Sequence, residues 1–478
     1  MSKIFIKGNW KLDWLYHRGR LKSVLIIAAL ITASCTSTTQ RPSVAYTAES
    51  DMHWVAFLYK NTDKTSTSDE LAVSGFNKTG KHVAGPIYPV DKGKHFAISR
   101  PAIAYSIKSK VFLVAVAERI SIPGGGTYER VAARFFDDSG KLLKNVYHLF
   151  DDKSSTLNLS IKELDVGAVR IAYNSILDEF LVTAQRTVFY PKKVVSQKNG
   201  VWAQRISYTS GPLGMPQKLA EPGTMNINSH AIAYAPITGT APKGGRYLLA
   251  YGPVSTILLD SNAKQITVVP LELGIPKGGH AQPDVAFGTV NGKQRFLLVY
   301  GDKDNCEPGS NPCMDWTGIW GTYIDPYKTS YPQYPSNTPF PISKISSHVG
   351  NQYSFQPRVS YNASAKAFFV VWREQPTPSV KVGESRSHIR GNKVDYYVAD
   401  GQANQTGVKK PYANILISPV TGTCKPSPPT VYCPSSEDPF FPDVTGLGGK
   451  AVAVFWHENT KVTANATHTV KGKVVTIP

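Results

Sequence analysis

The stretch Pro101-Ala-Ile-Ala-Tyr105, followed after a polar turn by Phe112-Leu-Val-Ala-Val116, sets the pattern of the whole chain. The first segment predicts a short strand, and the second is a continuous apolar run, which is typical of a strand buried on both faces. Segments like the first recur at residues 42–46, 101–105, 169–173, 230–234, 283–287, 357–361 and 442–446. Seven related copies predict a repeat architecture.

Similar residue patterns predict the remaining strands of each unit. Apolar second strands recur at residues 54–59, 112–116, 180–184, 247–251, 296–300, 368–372 and 452–456. Hairpin turns such as Phe76-Asn-Lys-Thr-Gly80 and Phe136-Asp-Asp-Ser-Gly140 then join a third strand to a fourth, because Asn, Asp and Gly tolerate the positive φ of a tight turn. In the last unit we expect residues 473–477 to form the closing fourth strand.

Four antiparallel strands per unit, repeated around a ring, predict an all-β fold, a β-propeller of seven four-stranded blades. A six-bladed ring with a decorated edge is the alternative, because the seventh unit lacks an obvious hairpin turn. The unit resembles those of exported bacterial propellers, in which a P-x-[VI]-A-Y strand leads to a [FY]-L-V-V-W strand and a D-x-x-G turn. The composition, with 24 Tyr, 38 Gly, 34 Pro and only 5 Met, excludes a helical bundle. The resemblance implies a fold but no particular activity.

The N-terminus predicts export. Six basic residues precede an uncharged run at residues 23–34, which is about half as long as a membrane span. The run ends in Ala33-Ser34-Cys35, which resembles the lipobox of bacterial lipoproteins and implies cleavage before a lipidated Cys35. We therefore expect a signal peptide at residues 1–34, a tether at 35–41 and one propeller domain at 42–478. An ordinary secretory signal with an incidental Cys35 is the alternative.

An exported chain enters an oxidising compartment. The four other cysteines are therefore expected to pair locally as disulfides, Cys306 with Cys313 and Cys424 with Cys433. Metal binding by these cysteines is the weaker alternative. The 53 Lys and Arg residues against 34 Asp and Glu give a net charge of +19, which favours anionic partners and the membrane surface. The compartment excludes nucleic acid. Thr36 after the cysteine resembles lipoproteins sorted to the outer membrane or cell surface.

A binding site is predicted where loops are longest. The insertions at residues 301–316, 373–393 and 419–441 fall in units five to seven, on the propeller face that carries the loops between second and third strands and between blades. We call this face the loop face. Charged residues at the second position of the first strand, or just past the second strand, are expected to gather there. The ligand-binding candidates are His280, Asp284, Asp302, Arg358, Glu374, Asp443, His457 and Glu458.

Two interpretations of these charges stay open. They form salt bridges between blades, or they line a polar pocket for a sugar or peptide, with Tyr300, Trp316, Trp372 and Trp456 as stacking surfaces nearby. Tyr300, Trp372 and Trp456 end buried strands, which favours a core role for them.

The function predicted from the sequence is a monomeric, lipid-anchored binding or scaffold module of the bacterial cell envelope. It acts on an envelope protein or a glycan through blades five to seven. The alternative is a carbohydrate-active enzyme of the glycoside hydrolase kind, using paired carboxylates at the channel mouth. No catalytic residue is assigned, and the sequence holds no G-x-S-x-G, H-E-x-x-H or phosphate-loop motif. No cofactor or metal is expected, with calcium at Asp302 and Asp304 as an alternative.

Overall fold

The structure, a computed structural model, consists of β-strands joined by turns. It describes residues 33–35, 42–47, 49–60, 69–87, 95–97, 99–121, 127–144, 146–150, 158–160, 169–189, 198–220, 230–237, 243–252, 255–269, 282–303, 316–330, 339–343, 352–376, 388–395, 415–418, 438–446, 450–459 and 468–477. For some strand ends within these ranges the backbone alone is described. In these ranges no helix is long and apolar enough to cross a membrane.

Seven antiparallel sheets, one for each predicted repeat, make up the fold. Strand β1 is Ala33–Cys35. Blade 1 contains β2 (Ser43–Thr47), β3 (Met52–Lys60), β4 (Asp69–Asn77) and β5 (His82–Ile87). Blade 2 contains β6 (His95–Ala97), β7 (Ala102–Ser106), β8 (Val111–Ser121), β9 (Thr127–Asp137) and β10 (Tyr147–Leu149). Blade 3 contains β11 (Asn158–Ser160), β12 (Val169–Asn174), β13 (Glu179–Phe189), β14 (Lys198–Ser207) and β15 (Gly211–Ala220).

The second half of the chain continues the series. Blade 4 contains β16 (His230–Ala235), β17 (Arg246–Tyr251), β18 (Ser255–Asp260) and β19 (Gln265–Val269). Blade 5 contains β20 (Asp284–Val290), β21 (Lys293–Lys303), β22 (Trp316–Ile324) and β23 (Phe340–Pro341). Blade 6 contains β24 (Gln352–Asn362), β25 (Ala367–Pro376), β26 (His388–Val394) and β27 (Ile415–Leu416). Blade 7 contains β28 (Asp438–Gly446), β29 (Ala451–Asn459) and β30 (His468–Thr476), with β1 on the far side of β30.

The first long strand of every blade lies on the central axis. In order around the ring β2, β7, β12, β16, β20, β24 and β28 each contact the next, and β28 contacts β2 again. This closed ring confirms the seven-bladed propeller and excludes the six-bladed alternative. Closure leaves no long sheet edge facing solvent at the centre of the molecule.

The hydrophobic core is divided into seven clusters, each between two neighbouring blades. Between blades 1 and 2, for example, Trp54 and Phe112 stack with ring centroids 5.1 Å apart, and Phe112 stacks on Phe136 at the same separation. The apolar second strands are buried on both faces, as their sequence predicts. Tyr300, Trp372 and Trp456 are part of this core, so the interpretation of these three as stacking surfaces for a ligand is wrong.

The predicted hairpin turns are present in blades 1 and 2. The amide of Gly140 donates to the carbonyl of Asp137 at 3.0 Å, and Gly140 has φ +87°. A Cβ at Gly140 would also lie 2.3 Å from the ring of Trp54, so glycine is required both by the backbone and by the close approach of the core. Burial acts to raise the pKa of Asp137, but hydrogen bonds from the Ser139 hydroxyl and from the amides of Lys141 and Ser139 to its carboxylate outweigh burial and lower the pKa.

Blade 7 differs from its prediction. Strand β30 pairs with β29 along its whole length and is the third strand of the blade, so the expectation that residues 473–477 form the fourth strand is wrong. The fourth strand is β1, with Ala33 opposite Val470 and Cys35 opposite His468. A run rich in Val and Thr looks the same in the third and fourth positions, and here the fourth comes from the other end of the chain. The bond between Ser34 and Cys35, where cleavage is predicted, lies inside β1.

Candidate functional site

Three of the predicted site residues meet at the propeller axis. Asp284, Arg358 and Asp443 occupy the same position in the innermost strands β20, β24 and β28, each directly after a proline. In blades 6 and 7 the strand pairing shifts register at that proline, between Phe355 and Arg358 and between Phe440 and Asp443. Proline cannot donate a ladder hydrogen bond, so a bulge forms there and redirects the residue that follows.

Asp443 connects four blades. Its Oδ2 accepts a hydrogen bond from the amide of Val44 in blade 1 at 2.9 Å. Its Oδ1 lies 3.2 Å from Nη2 of Arg100, at the start of blade 2, and 4.0 Å from Nε of Arg358 in blade 6. Both oxygens of this carboxylate are therefore engaged by protein groups.

Asp284 makes the equivalent contact two blades earlier. Its Oδ2 accepts the amide of Val359 in blade 6 at 2.9 Å, and Val359 occupies the same repeat position in its blade as Val44 does in blade 1. Burial raises the pKa of Asp284, while Arg358, Arg170 and the Val359 amide oppose that rise. The first-strand aspartates thus connect one blade to the next.

The sequence prediction missed Arg100. This side chain is 1% exposed and its Nη2 donates to the carbonyl of Pro42 at 2.7 Å. Burial lowers the pKa of Arg100 well below its usual range, and the nearby Arg358 adds to the effect. Arg100 directly precedes the first proline of the second repeat, so a repeat alignment that begins at the proline leaves it out. The residue before each repeat is the signal that could have found it.

Arg170 is the third guanidinium near the axis. It occupies the second position of strand β12, and its Nε donates to the carbonyl of His230 at 3.1 Å. Burial and the proximity of Arg358 lower the pKa of Arg170 to about 10. The described part of the cluster therefore holds Arg100, Arg170 and Arg358 against Asp284 and Asp443.

Glu374 has a different environment from the axial aspartates. Its Oε1 lies 2.5 Å from Nε of Arg390 on the neighbouring strand of the same blade. Blade 2 holds a comparable pair, in which Oε1 of Glu118 is 2.5 Å from Nη2 of the fully buried Arg134. Glu374 thus forms an ion pair within blade 6 rather than a contact between blades.

The other predicted residues fall outside the described side chains. Asp302 lies in β21, and His457 and Glu458 lie in β29, but only their backbone is described. The same holds for Cys35 in β1 and Trp316 in β22. Outside the described residues altogether lie His280, Asp304, Cys306, Cys313, Cys424 and Cys433. The disulfide and calcium predictions therefore stay predictions.

Metal coordination has no support among the side chains that the structure describes. They include no group of three or more His, Cys, Asp or Glu residues placed to hold an ion. His230, whose carbonyl accepts from Arg170, has its Nε2 3.0 Å from Oγ1 of Thr183. Burial and Arg170 lower the pKa of His230 to about 3, so the imidazole is neutral at physiological pH.

Fold and site together define the class of the protein: a seven-bladed β-propeller with a charged cluster on its axis. No family model matches the sequence, and no curated protein matches it. A protein of unknown function from Dyadobacter fermentans has a similar structure, with a TM-score of 0.42 and 10% identity over 94% of this chain and 98% of that one.

Two sialidases are similar at the same level. Trypanosoma rangeli sialidase gives a TM-score of 0.44 at 10% identity over 72% of this chain and 54% of its own. A Hadza microbial sialidase gives 0.43 at 9% identity, over 91% of this chain and 66% of its own. Similarity of this degree carries no conclusion about activity.

Proposed function

We propose that this chain is a binding or scaffold module of the bacterial cell envelope, lipid-anchored through Cys35, that takes an envelope protein or a glycan on the loop face of blades 5–7. A rigid ring presents such a face with little loss of conformational entropy on binding. Without residues 1–34, which contain six basic residues and Asp13, the chain keeps a net charge of +14, which supports attraction to anionic envelope polymers and lipid headgroups. The module acts as a monomer.

The observation that supports binding over chemistry is that the described candidate acids already have partners. Asp284 and Asp443 accept backbone amides of the following blade, and Glu374 is paired with Arg390. Glycoside hydrolysis needs two carboxyl groups that face a substrate, one protonated and one ionised. An acid that already accepts from a backbone amide or an arginine is poorly placed to take either role.

One observation favours the enzyme as a second candidate. Asp284 has a raised pKa and lies close enough to Asp443 for their charges to interact. Two interacting carboxyl groups, one of them in an environment that raises its pKa, are an arrangement that acid and base catalysis uses. The enzyme would then be carbohydrate-active, with Asp284 as the acid. Turnover of fluorogenic glycosides by the full chain, abolished in Asp284→Asn, would replace the binding proposal with this one.

Binding is tested with the full chain on an array of glycans and peptidoglycan fragments, alongside capture of envelope proteins. The test variant is Glu374→Lys, which disrupts the ion pair near the loop-face end of β25. The matched control is Glu179→Lys, which breaks the Glu179–Arg205 pair at the start of β13, the opposite end of a second strand. Thermal melting checks that both variants are folded.

We expect saturable binding by the wild type and by Glu179→Lys, and binding weakened about tenfold or more in Glu374→Lys. Binding that is equal in both variants would place the partner away from the loop face of blade 6. Failure to bind any glycan or envelope protein would contradict the proposal as a whole.

The anchor is tested separately by Cys35→Ser in the native host. We expect the wild-type chain to fractionate with membranes and to incorporate labelled fatty acid, and the variant to lose both properties. A variant that stays with the membrane would show that Cys35 is incidental and that the segment is an ordinary secretory signal.

A further inference from the structure

The axial cluster is unbalanced in charge. Arg100 and Arg170 both lie close enough to Arg358 for its positive charge to add to the effect of burial and lower their pKa values. The carboxylates that act on them among the described residues are those of Asp284 and Asp443. Counting the described residues alone, three guanidinium groups against two carboxylates leave one positive charge without a counter-charge in a largely buried region. Buried charge of this kind is costly unless a partner of opposite sign is present.

The hydrogen-bond donors show the same deficit. Arg100 uses Nη2 for both Pro42 and Asp443, while its Nε and Nη1 are buried and have no hydrogen-bond partner among the described residues. Nε of Arg358 is likewise buried and unpartnered in that part of the chain, since its separation of 4.0 Å from Asp443 is too long for a hydrogen bond. A buried donor left unsatisfied costs the full desolvation of that group.

The partners that Arg100 does have lie to one side. Nη2 is fixed by the carbonyl of Pro42 and the carboxylate of Asp443, both at the junction of blades 7 and 1. Arg358 is fixed by the carbonyl of Pro357, which accepts from its Nη1 at 2.8 Å. Each guanidinium is therefore held in place while one or more of its nitrogens stay available. Held, planar donors of this type suit an oxyanion with two or more oxygens.

We propose that the axis binds an oxyanion, the carboxylate or phosphate group of a ligand, between Arg100, Arg170 and Arg358. The anion supplies the missing counter-charge and accepts from the free nitrogens of Arg100 and Arg358. It also joins blades 2, 3 and 6, which supply the three guanidinium groups. The inference deepens the proposed function, on which it rests for the assumption that this region meets a ligand, by naming the ligand as anionic.

The test uses simple anions and the full chain, so it does not depend on finding the natural ligand. Inorganic phosphate, sulfate and acetate are titrated separately, at constant ionic strength maintained with sodium chloride, and followed by calorimetry and thermal melting. Constant ionic strength removes the general effect of screening. Arg358→Gln and Arg100→Gln are the test variants. Arg205→Gln, which removes a half-buried guanidinium paired with Glu179 in blade 3, is the matched control for loss of one positive charge.

We expect saturable binding and a saturable rise in Tm for the wild type and for Arg205→Gln, and at least about a tenfold weaker response in both axial variants. Arg358→Lys keeps the charge but loses the planar donor, so it should fall between Arg358→Gln and the wild type. Should Arg100→Gln fail to fold, Arg358→Gln and Arg358→Lys still decide the question. Tighter binding of phosphate than of acetate assigns a phosphorylated ligand, and the reverse order assigns a carboxylate.

Two results would overturn the inference. One is the absence of saturable binding of any of the three anions to the wild type. The other is an equal Tm response in the wild type, the axial variants and Arg205→Gln, which would reduce it to a general salt effect. Neither result bears on the loop-face array, because a neutral glycan or a protein could still bind there. If the wild type binds the simple anions but nothing on the array and no envelope protein, the proposed function is wrong and the axial anion site remains.

Discussion

Blade 4 and blade 7 are both four-stranded antiparallel sheets, but their strands come from different parts of the chain. Blade 4 is four consecutive strands, β16 to β19, joined in order. Blade 7 takes three strands from the C-terminal end of the chain and its fourth, β1, from the N-terminal end. The chain runs from blade 7 into blade 1 only through β1, so the ring there is held by the three-residue pairing of β1 with β30 and by packing between the blades. Closing it also fixes the two chain ends, which carries an entropic cost that a local hairpin does not.

The closure junction between blades 7 and 1 also contains polar groups in its core. His53 lies among Tyr46, Phe76 and Phe455, and neither ring nitrogen of His53 has a hydrogen-bond partner among the described residues. The Asp443 contacts with Val44 and Arg100 cross the same junction. The cluster between blades 4 and 5, which includes Leu248, Phe296 and Leu298, joins two blades that follow one another directly in the chain. We therefore expect the closure junction to set the stability of the ring.

The largest expected effect comes from removing an aromatic ring at each kind of junction. Phe455→Ala at the closure and Phe296→Ala between blades 4 and 5 each delete a fully buried phenyl ring, which costs about 3–5 kcal/mol. The loss of hydrogen-exchange protection should spread through blades 7 and 1 in Phe455→Ala, and stay near blades 4 and 5 in Phe296→Ala. Identical protection maps in the two variants would show that closure is no weaker than any other junction.

The axial aspartates compare the closure junction with another junction by removing one charge at each. Asp443→Asn should cost about 3 kcal/mol in urea unfolding, because it leaves Arg100 without the carboxylate that faces it. Asp284→Asn should cost less, under about 1 kcal/mol. Burial raises the pKa of Asp284, so holding its charge there carries a desolvation penalty that a neutral amide avoids. Equal costs would mean that the closure aspartate is no more important than its counterpart between blades 5 and 6.

Acid should weaken the closure junction through His53. Burial lowers the pKa of His53 from 6.5 to about 4. The folded state therefore resists protonation that the unfolded chain accepts, and stability falls as the pH drops from about 6.5 to about 4, by at most about 3 kcal/mol. His53→Phe should flatten that part of the profile in urea unfolding.

The control for this pH effect is His82→Gln. Burial lowers the pKa of His82 as well, but this imidazole is less deeply buried. We expect His82→Gln to remove a smaller part of the acid sensitivity. An unchanged pH profile in His53→Phe would assign the sensitivity to another group, of which the fully buried His230 is the first candidate.

Much of the fold could be predicted from the sequence because each repeat contains residue patterns that are typical of β-strands and tight turns. Seven apolar second strands mark seven blades, and Asp137 with Gly140 marks a hairpin turn that the structure contains. The fourth strand of blade 7 could not be predicted, since pairing between the two ends of a chain leaves no local pattern. A segment read as the end of a signal peptide gives no reason to expect a strand.

The site was predicted less well, for a related reason. Asp284, Arg358 and Asp443 meet at the axis because their shared repeat position places them there. Arg100 lies one position before the repeat, so the alignment could not show that it points to the same cluster. The partner of Glu374 could not be predicted either, because an ion pair across two strands depends on their register rather than on spacing along one of them.

A modest effect is expected from β1 itself. A chain that begins at Ala33 keeps the fourth strand of blade 7, and a chain that begins at Thr36 loses it and exposes the edge of β30. Three residue pairs make few hydrogen bonds, each contributing about 0.5–1.5 kcal/mol, so the loss should be about 1–2 kcal/mol. Thermal melting of the two chains measures it, and equal Tm values would show that β1 contributes nothing to closure.

A chain that begins at Cys35 connects this measurement to the predicted lipoprotein processing. Cleavage before Cys35 removes Ala33 and Ser34 and keeps only the residue opposite His468. If β1 stabilises the ring, the Cys35 chain should melt between the other two, and maturation would weaken the closure while the lipid holds Cys35 at the membrane. If the Cys35 chain melts with the Ala33 chain, one residue pair is enough and processing leaves the ring unaffected. Melting with the Thr36 chain would show that a mature lipoprotein has a three-stranded seventh blade, with the edge of β30 open to another strand.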